Sequence, residues 1–303
     1  MNGRIGIDLG GTKIAAVVLA ESGESVWNAR VPTPRGDYEG TLDAIAALVA
    51  DAERHAGESC SVGVGMPGAI SPATGLVKNA NSVWLNGRPF HTDLEKRLGR
   101  PVRVANDANC LAVSEAADGA AAGASVVFGV ILGTGVGGGL TVGGVAVTGA
   151  NAIAGEWGHN ALPWPDDDER PGRACYCGQR GCIETFLSGP GLAADYAARA
   201  ATDGVAAGDV TGETVVARAG RDDAPARAAL DAWERRLAKA LATVINLVDP
   251  DVIVVGGGLS NVDRIYRTVP RLWSTWIFSD RVTTRLVPAR FGDASGVRGA
   301  ARL

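Results

Sequence analysis

The sequence predicts an α/β protein with two domains, and three observations lead to that expectation. First, 303 residues are long for one domain and sufficient for two. Second, a hydrophobic fraction of 46% and a mean hydropathy of +0.09 allow a large core. Third, a strand, glycine turn, strand pattern occurs twice, as RIGIDLGGTKIAAVVL and as VFGVILGTGVGGGLTV. This weak repeat indicates two similar halves, each of which opens with a hairpin.

The charge pattern and the opening residues exclude several classes of protein. Lysine and arginine total 29, aspartate and glutamate total 33, and the net charge is −4. Because no basic block stands out, nucleic acid is not an expected partner. No apolar run reaches the roughly 18–20 residues of a membrane helix, and the opening MNGRIGIDLGGTK lacks the apolar core and cleavage site of a signal peptide. We therefore expect a soluble, cytoplasmic protein.

Hydrophobic periodicity predicts the secondary structure, because strands repeat every two residues and helices every 3.6. The predicted strands are Arg4–Leu9, Ile14–Ala20, Ser25–Val31, Ser61–Met66, Val102–Ala105, Val127–Leu132, Leu140–Val147 and Asp251–Val255. The predicted helices are Tyr38–His55, a segment from Asn106 to about Ala117, Pro225–Leu247, Val262–Trp276 and Ser295–Leu303. Gly133–Gly139 is predicted to be a glycine turn.

The first hairpin turn carries residues that suit a phosphate group. Its glycines let backbone N–H groups approach phosphate oxygens, Thr12 and Lys13 add donors, and Asp8 could hold Mg²⁺ through water. An ordinary tight hairpin explains the same spacing and, by itself, is slightly favoured. A second glycine turn at 133–135 shifts the balance, because two such turns could face one nucleotide across a cleft. The glycines at 256–258 would give base and ribose a flat approach.

Two G-x-G-x-x-G matches, at 63–68 and 133–138, do not indicate a dinucleotide-binding fold. That fold needs a helix directly after the glycines. The first match runs into AISPATG, which contains a proline, and the second runs into the strand-like LTVGGVAV. The sequence also has no G-x-x-x-x-G-K-[ST] phosphate loop.

The cysteines predict a metal site rather than disulfides. Five cysteines are an odd number, and three of them lie close together as Cys175, Cys177 and Cys182. His159, sixteen residues before the first of these, can supply a fourth ligand. Three thiolates and one imidazole suit a closed, tetrahedral structural zinc site. The alternative is three unrelated thiols in one loop, which such close spacing disfavours.

Several carboxylates suit the binding of a polyhydroxylated substrate. Asp107 lies at a predicted helix start, where it could be a helix cap or a general base toward a sugar hydroxyl. Glu156 and Glu184 flank the cysteine loop and could accept hydrogen bonds from sugar hydroxyls, although solvated loop carboxylates would look the same. The acidic run at 166–169 is expected to be exposed and solvated.

Taken together, these motifs resemble one family. DLGGTK, NDANC, LGTGVGGG, EWGH, CYCGQRGCIE and GDASGVRGA resemble the ROK family of bacterial sugar kinases and repressors, in that family's order and along essentially the whole chain. The resemblance implies an actin-like, hexokinase-type (ribonuclease H-like) α/β fold of two domains with the active site in the cleft between them. The implied domains are 1–118, joined by the C-terminal helix at about 295–303, and 119–294, with a zinc-binding loop at 159–182.

The resemblance also implies the roles of individual residues. ATP with Mg²⁺ and a structural Zn²⁺ are the implied cofactors, Asp107 is the implied base, and a homodimer is the implied assembly. The implied sugar contacts are Asn81, Asn106, Asp107, Glu156, His159 and Glu184, and His159 would touch sugar and zinc through different ring nitrogens. The implied ATP contacts are Asp8, Gly10, Gly11, Thr12, Lys13, Thr134, Gly135 and Gly257. The implied zinc ligands are His159, Cys175, Cys177 and Cys182.

Within the family, KNANSVWLNGRPF and EWGHNALPW look most like the bacterial fructokinase (manno-fructokinase) branch. We therefore expect phosphorylation of fructose at O6. Trp84 and the loop around Asn86 would fill the room that the acetamide of an N-acetylhexosamine needs. The alternatives within the family are an N-acetylglucosamine or N-acetylmannosamine kinase and a glucokinase.

Two alternatives lie outside catalysis. ROK repressors carry a DNA-binding segment ahead of the first glycine motif, whereas seven residues precede Asp8 here, which is too short for a helix-turn-helix. An inactive sugar-binding subunit is disfavoured by the presence of Asp107 and both glycine turns. An active kinase is therefore the expected function.

Overall fold

A computed structural model of the protein describes residues 3–202, 204 and 208–303. Within these ranges the chain forms twelve strands. They are β1 (Arg4–Leu9), β2 (Lys13–Leu19), β3 (Ser25–Pro32), β4 (Ser61–Met66), β5 (Ala69–Ile70), β6 (Val77–Lys78), β7 (Arg103–Asn106), β8 (Val126–Leu132), β9 (Val136–Val142), β10 (Val145–Ala146), β11 (Val252–Gly256) and β12 (Arg285–Pro288).

The same described ranges contain nine α-helices. They are α1 (Tyr38–Ala56), α2 (Phe90–Leu98), α3 (Asp107–Ala117), α4 (Ile183–Leu187), α5 (Gly189–Thr202), α6 (Gly212–Ala219), α7 (Ala224–Val248), α8 (Ile265–Leu272) and α9 (Ser295–Ala300). Short 3₁₀ turns occur at Val83–Leu85, Trp157–His159, Asp167–Glu169, Gly258–Asn261, Trp273–Thr275 and Gly292–Ala294.

Two mixed five-stranded sheets repeat one topology. Their strand orders are β3-β2-β1-β4-β7 and β10-β9-β8-β11-β12, and β5 with β6 forms a separate two-stranded ribbon. In the first sheet β1 pairs antiparallel with β2 and parallel with β4. In the second, β11 runs parallel to both β8 and β12. The repeated strand, turn, strand pattern of the sequence thus opens each sheet, and the predicted α/β class is confirmed.

The chain divides into two compact units. Unit 1 comprises the residues up to Gly123 together with 139–155 and 290–303, and unit 2 comprises 124–138 and 156–289. Segment 139–155 therefore belongs to unit 1, a placement that the sequence-based limits of 1–118 with 295–303 and 119–294 do not include. As independently folding domains, those limits stay a prediction.

The first sheet is buried on both faces, which explains the continuous apolar character of its central strands. In β2, Ala16 and Val18 lie in one cluster with Leu42 of α1. The alternate residues of β2, such as Val17, lie in a second cluster with Val297 of α9. Because side chains alternate along a strand, helices on both faces require apolar residues at every position.

Helix α9 approaches the first sheet at backbone distance, and glycines make this possible. A Cβ at Gly6 would lie 2.0 Å from the carbonyl oxygen of Val297, and one at Gly63 would lie 1.9 Å from that of Ala300. A Cβ at Gly299 would lie 1.7 Å from a backbone oxygen of α3. Any side chain at these positions would separate the elements, so the final helix is fixed against β1, β4 and α3.

A buried carboxylate of α3 binds the returning chain, that is, the segment 290–295 where the chain re-enters unit 1. Glu115 is fully buried. It accepts hydrogen bonds from the backbone N–H groups of Ala120, Arg290 and Phe291 at 2.7, 3.0 and 3.3 Å, and from the hydroxyl of Ser295 at 2.7 Å. Four donors compensate the cost of burying the charge. They also define where the chain enters α9.

One glycine-rich segment differs from the prediction. Gly133–Gly139 was expected to be a turn, but β9 begins at Val136, so Gly137, Gly138 and Gly139 lie in a strand and the turn is limited to 133–135. Gly139 is needed there because a Cβ would lie 2.3 Å from the carbonyl oxygen of Ala108 in α3. The strand expected over Leu140–Val147 is likewise interrupted by a turn at 143–144, where both glycines have positive φ. Glycine in a strand often marks such a close backbone contact.

None of the helices formed by residues 3–202, 204 and 208–303 combines the length and the hydropathy that crossing a bilayer requires.

We predict that Glu115→Gln destabilises the protein. The amide nitrogen would face N–H donors that the carboxylate now satisfies, and unpaired buried donors cost about 1–3 kcal/mol each. Thermal unfolding followed by circular dichroism should show a clear decrease in the midpoint. Glu24→Gln removes the same charge from an exposed position and should leave the midpoint unchanged. Equal midpoints for the two variants would show that the Glu115 hydrogen bonds do not hold the returning chain.

Candidate active site

The predicted site residues fall into two groups, one on each unit. Unit 1 carries the first phosphate turn, the predicted base and part of the sugar set, namely Asp8, Gly10, Gly11, Thr12, Lys13, Asn81, Asn106 and Asp107. Unit 2 carries the second glycine turn, the remaining sugar set and the metal set, namely Thr134, Gly135, Glu156, His159, Cys175, Cys177, Cys182, Glu184 and Gly257.

The first glycine turn is held in shape by hydrogen bonds. The N–H of Gly10 donates to the carbonyl of Lys13 at 3.0 Å, which closes the hairpin. Thr33, on the segment that follows β3, donates its hydroxyl to the Gly10 carbonyl at 2.7 Å and its N–H to the Thr12 carbonyl at 3.0 Å. Sequence reasoning missed Thr33, because nothing in its local sequence relates it to a turn twenty residues earlier.

Asp8 lies at the end of β1, beside this turn. The pKa of its carboxyl group is raised to about 6, because the effect of burial and of the Asp293 charge exceeds the lowering by Lys13 and Arg30. The Lys13 ammonium also pairs with the Asp293 carboxylate at 3.6 Å. Because burial destabilises the ionised form of Asp8, a cation held nearby would offset that cost. This environment fits the predicted role in holding hydrated Mg²⁺.

Asp107 is the first residue of α3 and follows directly on β7. Asn106 is the helix cap, since its side-chain oxygen accepts from the N–H of Ala108 at 2.9 Å while its amide donates to the carbonyl of Gly68 at 3.1 Å. Asp107 also accepts from the N–H of Ala108, at 2.8 Å. The helix dipole favours an ionised carboxylate at this position. Since Asn106 takes the capping position, capping alone does not explain why a carboxylate follows it.

Asp8 and Asp107, the two predicted acidic site residues of unit 1, both act on one cysteine. Burial raises the pKa of the Cys110 thiol well above its usual range, and the charges of Asp8 and Asp107 raise it further. Cys110 therefore stays a thiol, packed beside Gly65 of β4. Asp8 and Asp107 both lie close enough to influence it, so the phosphate turn and the predicted base are near each other in unit 1.

The segment that carries Asn81 lies against the first glycine turn. Asn81 itself is exposed, whereas the next residue, Ser82, is buried. The Ser82 hydroxyl lies 3.6 Å from where a Cβ of Gly11 would be. Unit 1 therefore brings the predicted sugar contacts Asn81, Asn106 and Asp107 together with the phosphate turn.

The two side chains on which the fructose expectation relied both make hydrogen bonds within unit 1. Trp84 donates its indole N–H to the Thr41 hydroxyl at 3.3 Å and packs on the core of unit 1. Asn86 makes two hydrogen bonds to the backbone of Ala80, at 2.8 and 2.9 Å. That these side chains lie where the acetamide of an N-acetylhexosamine would bind stays a prediction.

In unit 2, Glu184 supports the second glycine turn. Its carboxylate accepts from the N–H of Val136 at 2.8 Å, and a Cβ at Gly135 would lie 2.6 Å from the same oxygen. Gly133 donates to the carbonyl of Gly135 at 3.0 Å and accepts from the N–H of Gly189 at 2.8 Å. A predicted sugar contact and a predicted phosphate turn thus share one hydrogen-bonded arrangement.

The segment of Glu156 and His159 is positioned by the tryptophan between them. Trp157 is buried, donates its indole N–H to the carbonyl of Gly137 at 3.0 Å and packs edge-on against Phe128, with ring centroids 5.8 Å apart. These contacts fix the 3₁₀ turn that carries His159 to strands β8 and β9.

The predicted metal ligands meet at one point. The ligand atoms of His159, Cys175, Cys177 and Cys182 all lie within 4.8 Å of one another. The Cys175 sulfur is 3.6 Å from Nδ1 of His159, and the sulfurs of Cys177 and Cys182 are also 3.6 Å apart. Bond lengths of about 2.3 Å for Zn–S and about 2.0–2.1 Å for Zn–N place tetrahedral ligands about 3.6–3.8 Å apart. The four residues therefore fit a zinc ion.

The second nitrogen of His159 has a partner that sequence reasoning missed. Nε2 lies 3.0 Å from the hydroxyl of Tyr176, and the two rings meet edge to face with centroids 5.1 Å apart. Tyr176 lies between Cys175 and Cys177, and of these three residues only the two cysteines were interpreted as functional. The nitrogen expected to touch a sugar thus faces a tyrosine hydroxyl.

The acidic run at 166–169 is exposed at Asp166, Asp167 and Asp168, as expected, but not at Glu169. Glu169 is buried and bonds to Arg236 at 2.7 Å and Lys239 at 3.1 Å, and Lys239 also pairs with Asp166 at 3.0 Å. Burial by itself raises the pKa of Glu169, but the N–H of Asp166 and the two cations more than offset this and lower it. For Glu169 alone the expectation was wrong, because both cations come from α7, far along the chain.

Arg173 also connects the cysteine loop to α4, the helix that contains Glu184. Arg173 donates to the carbonyls of Thr185 and Gly191, at 2.9 and 2.8 Å, and lies over the ring of Phe186. The cysteine loop is thereby fixed to the segment that begins at Glu184.

The pair of sheets and the glycine turns define the class of protein, which is the actin-like, hexokinase-type α/β fold. The crystal structure of a ROK hexokinase from Thermus thermophilus is similar, with a TM-score of 0.84 at 31% identity over 99% of this chain and 96% of that one. A ROK family glucokinase from Streptomyces griseus, in complex with glucose and AMPPNP, gives 0.80 at 30% identity over 99% and 98%.

The chain belongs to the ROK family, whose sequence profile matches residues 4–303. Among curated relatives, the N-acetyl-D-glucosamine kinase of Escherichia coli O127:H6 (strain E2348/69 / EPEC) is 41% identical over 302 residues, which is 98% of each chain.

We predict that the purified protein contains about one zinc ion per chain, since four protein ligands form one closed site. Cys177→Ala should remove the metal and lower the thermal midpoint. Cys60→Ala, which changes a cysteine outside the set, should retain it. Metal analysis by mass spectrometry makes the comparison. Fully stable protein that contains no metal would contradict the assignment.

Proposed function

We propose that this chain is a cytoplasmic kinase that transfers the γ-phosphoryl group of ATP to the 6-hydroxyl of N-acetyl-D-glucosamine. The observation that carries the sugar assignment is the 41% identity to N-acetyl-D-glucosamine kinases along 98% of both chains. The fructose expectation finds no such support among these relatives, and the role given to Trp84 and Asn86 stays a prediction. Glucose is the second candidate, because the similar Streptomyces griseus structure is a glucokinase with bound glucose.

Asp107 is the proposed general base. Phosphoryl transfer requires in-line positioning of the acceptor hydroxyl and removal of its proton as the new P–O bond forms. The Asp107 carboxylate begins α3, beside the end of β7, and is the group proposed to take that proton. Its hydrogen bond to the N–H of Ala108 fixes one oxygen, and Asn106 holds the preceding backbone through Gly68.

The phosphate groups are proposed to lie on the two glycine turns. Backbone N–H groups of Gly10–Thr12 and of Thr134–Gly135, together with the ammonium of Lys13, would stabilise the charge that is transferred. Asp8 would hold Mg²⁺ through water, and the ion would neutralise phosphate charge when bound. Gly257, at the end of β11, would let the nucleoside approach the backbone.

The sugar hydroxyls are proposed to bind Asn81, Asn106, Glu156, His159 and Glu184. Each hydroxyl can donate and accept, so a mixture of amides, carboxylates and an imidazole can satisfy several hydroxyls at once. The zinc ion held by His159 and the three cysteines would have a structural role, because its four protein ligands leave no position for a catalytic water. A homodimer is the proposed assembly.

We predict that Asp107→Asn loses about a hundredfold or more in kcat, the range typical of removing a general base. The amide keeps the size and the hydrogen bond of the carboxylate, so KM for the sugar and the thermal midpoint should change little. Asp51→Asn, on the surface of α1, is the matched control and should retain full kcat. The assignment fails if Asp107→Asn turns over at a rate close to wild type.

We predict that N-acetyl-D-glucosamine has the highest kcat/KM among the sugars tested. The panel contains glucose, fructose, mannose and N-acetylmannosamine, and ADP release is measured by a coupled assay. A site built to bind an acetamide leaves polar groups unpaired when glucose takes its place, so we expect a difference of about a hundredfold or more. A higher value for fructose would overturn the sugar assignment while leaving the kinase assignment intact.

A further inference from the structure

Several segments of unit 2 meet through close backbone contacts at glycines. The N–H of Gly189, at the start of α5, donates to the carbonyl of Gly133 at 2.8 Å. A Cβ at Gly212, at the start of α6, would lie 2.9 Å from the Cα of Gly189, and one at Gly257 would lie 2.4 Å from the carbonyl oxygen of Leu132. The starts of α5 and α6 and the end of β11 therefore converge on the β8–β9 turn. Side chains cannot be placed at these contacts without separating the segments.

Two carboxylates border these contacts, Glu184 at the β8–β9 turn and Glu213 beside the glycines that follow β11. The environment of Glu213 is the simpler of the two. Glu213 is exposed and lies in the first turn of α6, whose cap is Thr211, with the N–H of Thr214 donating to the Thr211 hydroxyl at 3.2 Å. A Cβ at Gly258 would lie 3.0 Å from Oε1 of Glu213. A negative charge thus stands directly beside the glycine loop that follows β11.

The charge of Glu213 restricts what part of a nucleotide can lie beside it. A carboxylate only accepts hydrogen bonds, and it repels phosphate oxygens. The neighbouring ligand group must therefore be uncharged and rich in donors. The vicinal 2′- and 3′-hydroxyls of a ribose are two adjacent donors and match the two oxygens of one carboxylate, whereas an adenine amine would offer donors on a single nitrogen.

We propose that Glu213 accepts hydrogen bonds from the ribose hydroxyls of the nucleotide and makes the enzyme select ribonucleotides over 2′-deoxyribonucleotides. This inference rests on the proposed use of ATP. The glycines at 257 and 258 bring the sugar of the nucleotide down to the backbone, and Glu213 binds it there. The phosphates are directed away from the carboxylate, toward the glycine turn at 133–135.

The experiment compares ATP with 2′-deoxyATP as phosphoryl donors at saturating sugar. Wild type should prefer ATP in kcat/KM by about ten- to a hundredfold, the effect of one hydrogen bond to a charged group. Glu213→Ala should lower this preference to about one by weakening the use of ATP, with KM for the sugar unchanged. Glu213→Gln should restore part of it, because an amide oxygen can still accept.

Asp209→Asn is the matched control. It removes one exposed carboxylate from the segment just before α6 and should keep the wild-type preference for ATP. Inosine triphosphate, which lacks the adenine amine, tests the base directly. If Glu213→Ala changes the ratio of ATP to inosine triphosphate and leaves the ratio of ATP to 2′-deoxyATP unaltered, the ribose assignment is overturned.

Calorimetric binding of ADP and 2′-deoxyADP separates this inference from the proposed function. If no sugar is phosphorylated but ADP binds more tightly than 2′-deoxyADP, and Glu213→Ala abolishes that difference, the kinase proposal fails and the role of Glu213 stands. Wild-type discrimination in Glu213→Ala, or no binding of ADP to the wild-type protein, overturns the inference.

Discussion

Unit 1 depends on the backbone-to-backbone contact between α9 and the first sheet. Gly6 and Gly63 allow the last helix to lie on β1 and β4 without intervening side chains. Asp8 is two residues beyond Gly6, and a Cβ at Gly296 in α9 would lie 3.3 Å from its carboxylate. The contact therefore determines the surroundings of the phosphate turn, and the hydrogen bonds of Glu115 fix the segment that leads into α9. The two ends of the chain thus build one site.

Unit 2 also brings segments together through close backbone contacts at glycines. Close glycine contacts join the β8–β9 turn to the starts of α5 and α6, and two carboxylates border them, Glu184 on Val136 and Glu213 beside Gly258. Backbone amides and carboxylates are complementary, since one attracts phosphate and the other attracts hydroxyl groups. A surface of this kind can orient a ligand that has a charged end and a neutral, hydroxylated end.

The local motifs were predictable because the residues that form each of them lie close together in the sequence. Cys175, Cys177 and Cys182 lie within eight residues, so a metal loop follows from the sequence, and the structure brings their sulfurs together with His159. Glu169 was misjudged because its partners Arg236 and Lys239 are 67 and 70 residues away. The acidic run itself does not show which of its residues is buried, since the charges that compensate Glu169 come from another helix.

The sequence by itself determined the α/β class and the order of the main strands and helices, and it proposed the residues that bear the chemistry. Apolar periodicity and glycine placement act over a few residues, so they can be recognised without the fold. Only the tertiary structure decided which residues meet. Trp84 donates a hydrogen bond to Thr41 in unit 1, and Glu213 lies beside Gly258 in unit 2. These contacts join segments that are distant in the chain, and packing selects such pairs by shape and charge, neither of which a linear pattern records.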